Sequence, residues 1–411
     1  MSRRVVVTGL GTVNPLAHAV PDFWAGLLAG KSAVAPIKLF DTSAFKVHFA
    51  GEVKDWTAEG KIEPRLAKHL DRYSQFALVA AKEAIGDSGV DFAKEDPFRC
   101  GSIVGSGIGG LFTWEEQHAI YLTRGPSRLS PFTIPKMIAN AATGTISIEY
   151  GLMGPNTAIA TACSTAGHSI GDAFHQIKWD LADVMLTGGA EAAITPMGLG
   201  GFVACRALSM RNDDPPRASR PFDRDRDGFV LGEGAGILVL EEYERAKRRG
   251  AKIYCEVLAC GNTADANHIT APHPEGAGAS RAMINAVKEA GWNVTDVDYV
   301  NAHGTSTELG DKAETLAMKK VFGAHAHKLA VSSTKSMIGH LLGASGGAEA
   351  IACAMMIQTG LLHPTINLDT PDPDCDLDYI PNKTRERRVR RVLSNSFGFG
   401  GHNASLALGA I

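Results

Sequence analysis

Short runs of β-branched and apolar residues alternate along this chain with segments whose apolar positions recur every three to four residues. Residues 4–10, RVVVTGL, read as a buried strand. Residues 71–89, DRYSQFALVAAKEAIGDSG, read as an amphipathic helix closed by Gly89. The run CGSIVGSG (100–107) predicts a strand and turn. AIATA (158–162) predicts a strand leading into a helix over 163–181, and 182–192 a further buried strand with its turn. The alternation resumes downstream, with strands predicted at 252–261, 297–304 and 329–334 and helices at 279–291, 311–323 and 339–360. Such a pattern predicts an α/β protein whose helices cover mostly parallel strands.

A repeat sharpens the picture. When residues 160–171 are laid over 332–343, Ser164, Gly167, His168 and Gly171 fall on Ser336, Gly339, His340 and Gly343, an offset of 172 (340 − 168). Both stretches read as a strand, a small-residue turn and a helix start, which favours two equivalent halves. In this register Cys163 overlies Lys335. The halves are expected over 1–250 and 251–411, with a Pro-, Asp- and Arg-rich ordered loop at 211–228 ahead of the strands in 229–243.

With 411 residues, 45% hydrophobic and 21% charged, the chain has the balance of a globular protein with a large core. Its net charge of -3 gives no overall field toward nucleic acid or anionic membrane. Seven scattered cysteines without a CxxC pair argue against a disulfide framework or a zinc site, and fit a reducing cytoplasm. No signal-like or membrane-length apolar run is seen.

Chemistry gathers at strand ends. TACSTAGHS (161–169) sets Cys163 among small residues at a helix start, which suits either an inert buried thiol or a nucleophile favoured by the helix dipole. NAHGTST places His303 after a strand, and SSTKSMIGH places Lys335 and His340 after another. In open α/β sheets that edge is where ligands bind. SNSFGFGGHNAS (394–405) adds glycines that let backbone N–H groups approach a carbonyl, and phenylalanines that can wall an apolar tunnel. Three other patterns are set aside. GSGIGG (105–110) lacks the acidic residue a dinucleotide site requires and reads as close backbone packing beside a cavity. DRDRDG (223–228) has Gly234 where a calcium loop needs glutamate, and HAH (325–327) reads as a solvated surface turn.

TACSTAGHS, NAHGTST, SSTKSMIGHLLGASG and SNSFGFGGHN, in this order, resemble the β-ketoacyl-acyl-carrier-protein synthase family, closest to type II of the elongating condensing enzymes. The likeness runs over essentially the whole chain. It implies a thiolase-like, duplicated, five-layered α-β-α-β-α fold, a homodimer paired through the strand NTAIATA, and acyl carrier protein as partner. By resemblance Cys163 is the acylated nucleophile, with the backbone N–H groups of Cys163 and Phe399 holding the oxyanion. His303 and His340 stabilise the enolate formed when malonyl-acyl carrier protein loses its carboxylate, and Lys335 orients the histidine pair. Thr305 and Thr307 match positions that hold the pantetheine arm, and Ile108, Phe202 and Phe397 positions along the acyl chain. Arg65, Lys68, Arg128 and Arg206 match a surface that meets the acidic carrier protein. No organic cofactor is implied. Asn301, Glu349, Ser394 and Asn403 match a cluster that holds either a structural monovalent cation or a buried hydrogen-bond network. His402 departs from the threonine many relatives carry. The same motifs serve the ketosynthase subunit of a type II polyketide synthase, which stands as the alternative. A chain-length partner without a nucleophile is opposed by Cys163, and a cysteine hydrolase by the two histidines and lysine.

Overall fold

The computed structural model describes residues 3–411. Five strands from the first part of the chain, β1 (Val5–Val13), β2 (Cys100–Gly105), β3 (Asn156–Thr157), β4 (Val184–Glu191) and β5 (Gly234–Glu242), lie in the order β3-β2-β4-β5-β1. Five from the second, β6 (Cys255–Ala264), β7 (Tyr299–Asn301), β8 (Ala330–Ser332), β9 (Arg391–Gly398) and β10 (His402–Gly409), lie in the order β8-β7-β9-β10-β6. Each set therefore runs third, second, fourth, fifth, first. The sets join through β1 and β6, where Val5 pairs with Val257 and Val7 with Cys255.

The strands are not mostly parallel. Of the nine neighbouring pairs, four are parallel and five antiparallel. The clearest cause is the hairpin of β9 and β10, whose connection of three residues can join only antiparallel strands.

Helices fill three layers. Outside the first set lies α1 (Arg72–Ser88), capped by the Asp71 carboxylate accepting from Tyr73 N and ended by Gly89 at φ 66°. Outside the second set lie α3 (Ala277–Glu289) and α4 (Glu308–Phe322). Between the two sets run α2 (Thr165–Lys178) and α5 (Ser345–Thr359), each packed on strands of both. Residues 345–354 of α5 are all buried, as a helix between two sheets must be. This is the thiolase-like α-β-α-β-α arrangement. No helix is long and apolar enough to cross a membrane among the described residues.

The equivalence of the halves holds, but its register differs from the sequence overlay. Before α2 stands a 3-10 turn, Ala162–Ser164; before α5 stands another, Leu342–Ala344. Ala162 and Leu342 both have φ 50°, a left-handed conformation that a side chain rarely adopts. The structural offset is thus 180 (342 − 162), and Gly343, not Lys335, corresponds to Cys163. The strands ending at Thr157 and Ser332 are offset by 175, so the second half carries five extra residues before its turn. They accommodate a short helix, Lys335–Ile338. The helix expected from 339 accordingly starts at Ser345, and no strand forms over the expected 158–162: a two-residue strand, Asn156–Thr157, ends just before it and the chain bends into the first turn.

Helix α5 reaches β5 at very close range. A Cβ on Gly236 would lie 2.3 Å from Ala348 N and from the carbonyl carbon of Gly347. Gly236→Ala is expected to lower unfolding stability by about 2–3 kcal/mol through forced separation of this contact. Gly86→Ala, in an open position of α1 with nothing within 4 Å, should raise it by about 0.5–1 kcal/mol. Thermal or urea unfolding of the two variants checks the opposite signs.

Candidate active site

The two turns meet at the centre of the molecule, and Cys163 sits in the first of them. Its turn is held from both sides. Thr161 N donates to Thr165 Oγ1 at 2.9 Å, and Thr161 Oγ1 meets His168 Nδ1 at 2.7 Å. Ser164 Oγ lies 2.8 Å from the Ser396 carbonyl and 2.7 Å from that of His402, which ties the Cys163 turn to the β9–β10 hairpin. Gly398 passes so near that a Cβ there would stand 3.0 Å from Cys163 N.

His340 Nε2 lies 2.9 Å from Cys163 Sγ. Its Nδ1 is 2.9 Å from Ser345 Oγ, and its backbone is clamped between Val230 O and Gly232 N at 2.7 and 2.9 Å. Phe229 packs edge-on against the imidazole, 5.3 Å between centroids. His303, just beyond β7, crosses His340 at 86° with centroids 5.4 Å apart. One ring nitrogen from each histidine and Sγ all fall within 4.8 Å of one another. The His303 backbone is fixed by Glu314, whose carboxylate accepts from His303 N at 2.9 Å, Gly304 N at 2.8 Å and Asn395 Nδ2 at 3.2 Å. His303 Nδ1 is buried without a partner.

Burial governs the charges. It pushes the Cys163 thiol up to about 11, against the pull of the Lys335 ammonium and the Phe399 N–H. It holds both imidazoles well below their ordinary value, and the charge of Lys335 adds to this. The resting site therefore contains a thiol and two neutral imidazoles. Lys335, 1% exposed, is paired with the equally buried Glu349; burial pushes that carboxyl up and the ammonium opposes it. Glu314 is pushed up to about 7 by burial, opposed by its three N–H donors.

A cavity of ≈ 250 Å³ opens over Cys163, His303 and His340. Ile108, Phe202, Thr305, Thr307, Phe397 and Phe399 all line it, and the two threonine hydroxyls lie 2.9 Å apart. The GSGIGG loop borders the same cavity through Gly107 and Ile108.

The models of the beta-ketoacyl synthase N-terminal and C-terminal domains match residues 2–246 and 254–369. The chain belongs to the β-ketoacyl synthase family. It is 52% identical over 405 residues to a 3-oxoacyl-[acyl-carrier-protein] synthase 2 of Synechocystis sp., covering 98% of this chain and 97% of that one. To the synthase of the same name from Coxiella burnetii it is 50% identical over 409 residues, covering 100% and 99%. A solved type II PKS acyl-carrier protein in complex with its ketosynthase bound to the hexaketide superposes with a TM-score of 0.93 at 35% identity, with both chains fully covered.

Other residues of this β-ketoacyl synthase fall in three places. Arg65, Lys68, Arg128 and Arg206 are all exposed, away from the cavity lining, and none makes a salt bridge among the described residues. Asn301 and Ser394 stand opposite each other in register on β7 and β9. Asn301 Oδ1 and Glu349 Oε2 are buried without partners. Asn403 does not share that position: its amide donates to Asp265 Oδ1 at 2.8 Å and it borders the cavity, because alternation along β10 turns it to the other side. His402 is half-buried with its ring beside Gly400. Of the HAH turn, His327 is exposed, but His325 is half-buried and bonds the Val297 carbonyl at 2.9 Å. Asp223 of DRDRDG accepts from Arg220 and from the backbone of Asp225, Asp369 and Thr370.

The sequence reading missed Glu314, Ser345, Phe229 and Glu191. Only Glu191 carried a signal, a carboxylate ending an otherwise uncharged buried strand. Lys335→Met should raise the Cys163 thiol and both imidazoles, since the ammonium pulls all three down. Alkylation of Cys163 by iodoacetamide below the thiol's titration should slow by on the order of tenfold. An unchanged pH profile would mean that the charge is not felt at sulfur.

Proposed function

We propose that this protein elongates fatty acyl chains by decarboxylative condensation. Cys163 takes the acyl group from one acyl carrier protein thioester and adds it to malonyl-acyl carrier protein, as a 3-oxoacyl-[acyl-carrier-protein] synthase. The 2.9 Å contact of Cys163 with His340, with His303 beside it under one apolar cavity, carries the reading. Full-length identity of 50–52% to synthases of that name, against 35% to the polyketide ketosynthase, favours fatty acyl substrates over the polyketide alternative.

In the first step Cys163 Sγ attacks the thioester carbonyl, the carrier thiol leaves with the proton, and an acyl-Cys163 thioester remains. The tetrahedral oxyanion is held by the N–H groups of Cys163 and Phe399, donors fixed before the charge appears. Malonyl-acyl carrier protein then loses carbon dioxide. With Ser345 Oγ donating to Nδ1, the remaining N–H of His340 sits on Nε2 and faces the cavity, where it joins His303 in donating to the enolate oxygen. Neutral imidazoles suit this, because their N–H groups donate hydrogen bonds but are far less acidic than an imidazolium that would quench the carbanion. The carbanion attacks acyl-Cys163, forming the carbon–carbon bond and returning sulfur to the thiol with one proton. Lys335 acts on the histidines through its charge.

Thr305 and Thr307 stand at the cavity for the pantetheine arm, and Ile108, Phe202 and Phe397 border the acyl chain. The unpaired cations Arg65, Lys68, Arg128 and Arg206 suit docking of an acidic carrier protein by salt-sensitive contacts. The orphan oxygens of Asn301 and Glu349 fit a hard monovalent cation, which would supply buried positive charge beside Ser394. Asn403 would not be among its ligands.

Cys163→Ala is expected to abolish acyl adduct formation, seen by intact-mass spectrometry, with the fold retained. His303→Ala and His340→Ala should retain loading and lose carbon dioxide release. Equal loss of both steps in both histidine variants would overturn this division of roles.

A homodimer completes the proposal. Strand β3 is paired on one side only and exposed, and the chain between β2 and β3 displays Trp114, Tyr121, Leu122, Phe132 and Ile134. Light scattering at micromolar concentration should return twice the 43.5 kDa chain mass. A stable species of one chain mass would refute the pairing.

A further inference from the structure

Strand β4 ends in a carboxylate that the chemistry above leaves unused. Glu191 is fully buried and has no salt-bridge partner among the described residues. Its Oε1 accepts from Ser106 Oγ at 2.7 Å and Ile108 N at 3.1 Å, and its Oε2 from Gly107 N at 2.8 Å and Gly343 N at 3.0 Å. Four donors match the four lone-pair directions of an ionised carboxylate. Ser106 Oγ also accepts from Gly109 N at 2.9 Å, so the hold extends across the loop.

Gly343 is the counterpart of Cys163 in the duplicated fold. At the first turn the backbone N–H is kept for the reacting oxyanion. At the second, the equivalent N–H is permanently occupied by Glu191. One carboxylate thereby joins the loop that carries Ile108 to the turn that follows His340. Ile108 is 43% exposed and borders the cavity. Its backbone is fixed by Glu191.

We propose that Glu191 is a positioning residue for chain-length selection, holding Ile108 as a firm boundary of the acyl path by anchoring its loop to the Leu342–Ala344 turn. The inference rests on the reading of Cys163 as the acylated residue. A charge with four donors is lost only at a cost in stability, so activity alone would not separate positioning from support of the fold.

The test is the rate of Cys163 acylation, by intact-mass spectrometry, across a ladder of acyl carrier protein thioesters of increasing chain length. It compares the unsubstituted enzyme with Glu191→Gln and Ser106→Ala. The glutamine sets an amide N–H₂ against the N–H groups of Gly107 and Gly343, and the alanine removes one donor on the Ile108 side only. In Glu191→Gln the fall in rate beyond the preferred length should flatten by about tenfold relative to short chains, with Ser106→Ala shifting the same way by less. Amide hydrogen exchange at Ile108 and Gly343 should quicken together in Glu191→Gln, although they are far apart in sequence. An unchanged ladder, or a loss equal at every length, in either variant would overturn the proposal; Ser106→Ala suffices if Glu191→Gln fails to fold. Absence of any adduct on the unsubstituted enzyme would instead overturn the reading of Cys163, and this inference with it.

Discussion

Two helices begin side by side at the centre of this molecule, and the rest of the site is arranged around their start. A Cβ on Gly346 of α5 would lie 2.9 Å from Gly167 N of α2, and one on Gly189 would lie 2.4 Å from Gly343 O. Termini brought this close are entered through turns with Ala162 and Leu342 at φ 50°, a conformation costing ~1–3 kcal/mol at each. The surrounding layers hold that strain in place: Ser164 is bonded to two carbonyls of the β9–β10 hairpin, and Gly343 to Glu191. What results is a pair of helix N-termini aimed at one small volume, each favouring negative charge. One is left open beside a thiol. The other is closed by a carboxylate.

Burial and one cation then decide which groups carry charge. Lys335 lowers both the thiol and the imidazoles, whereas burial raises the thiol and lowers the imidazoles. The two influences reinforce each other on the histidines, which stay neutral. They oppose on sulfur, and burial prevails, since the thiol is still held near about 11. Little charge is present before substrate arrives. In the proposed reaction, charge that develops later on a carbonyl oxygen or an enolate meets donors already in position, and that is where a dry site gains most.

Much of this was legible in the sequence, and the parts that were not have physical reasons. Cys163, His303, Lys335 and His340 stood out because each follows a strong apolar strand signal in a run of small residues. The alternation of periods located the helices of all three layers. The direction of the strands was not legible, because buried parallel and antiparallel strands share one composition. The half-to-half register failed because four matches among Gly, Ser and His fit more than one alignment. The backbone mark that settles it, φ 50° on Ala162 and Leu342, falls on residue types with no preference for that conformation. Glu314 and Ser345 were invisible because each serves a histidine from a helix, and an acidic residue within DKAETLAMKKVFG looks like any solvated helix position. Asn403 was misplaced because a motif names a residue without saying which face of its strand it occupies.

The departure between the halves explains how a duplicated fold gains an asymmetric site. In the first half four residues, 158–161, join the end of β3 to the turn that holds Cys163. In the second, nine residues, 333–341, join β8 to the equivalent turn, and the longer path includes the Lys335–Ile338 helix. That helix buries an ammonium against Glu349 on the neighbouring α5, and the chain leaving it pairs with Val230 and Gly232 before reaching the turn. The pairing aims His340 back toward the first half and brings its Nε2 to 2.9 Å from sulfur. A four-residue connection has no length for either step: it would reach the turn without forming the helix, and no imidazole would be delivered from that side. The second turn carries Gly343 where the first carries Cys163. Its strand connection supplies the imidazole beside Cys163 and the buried cation paired with Glu349.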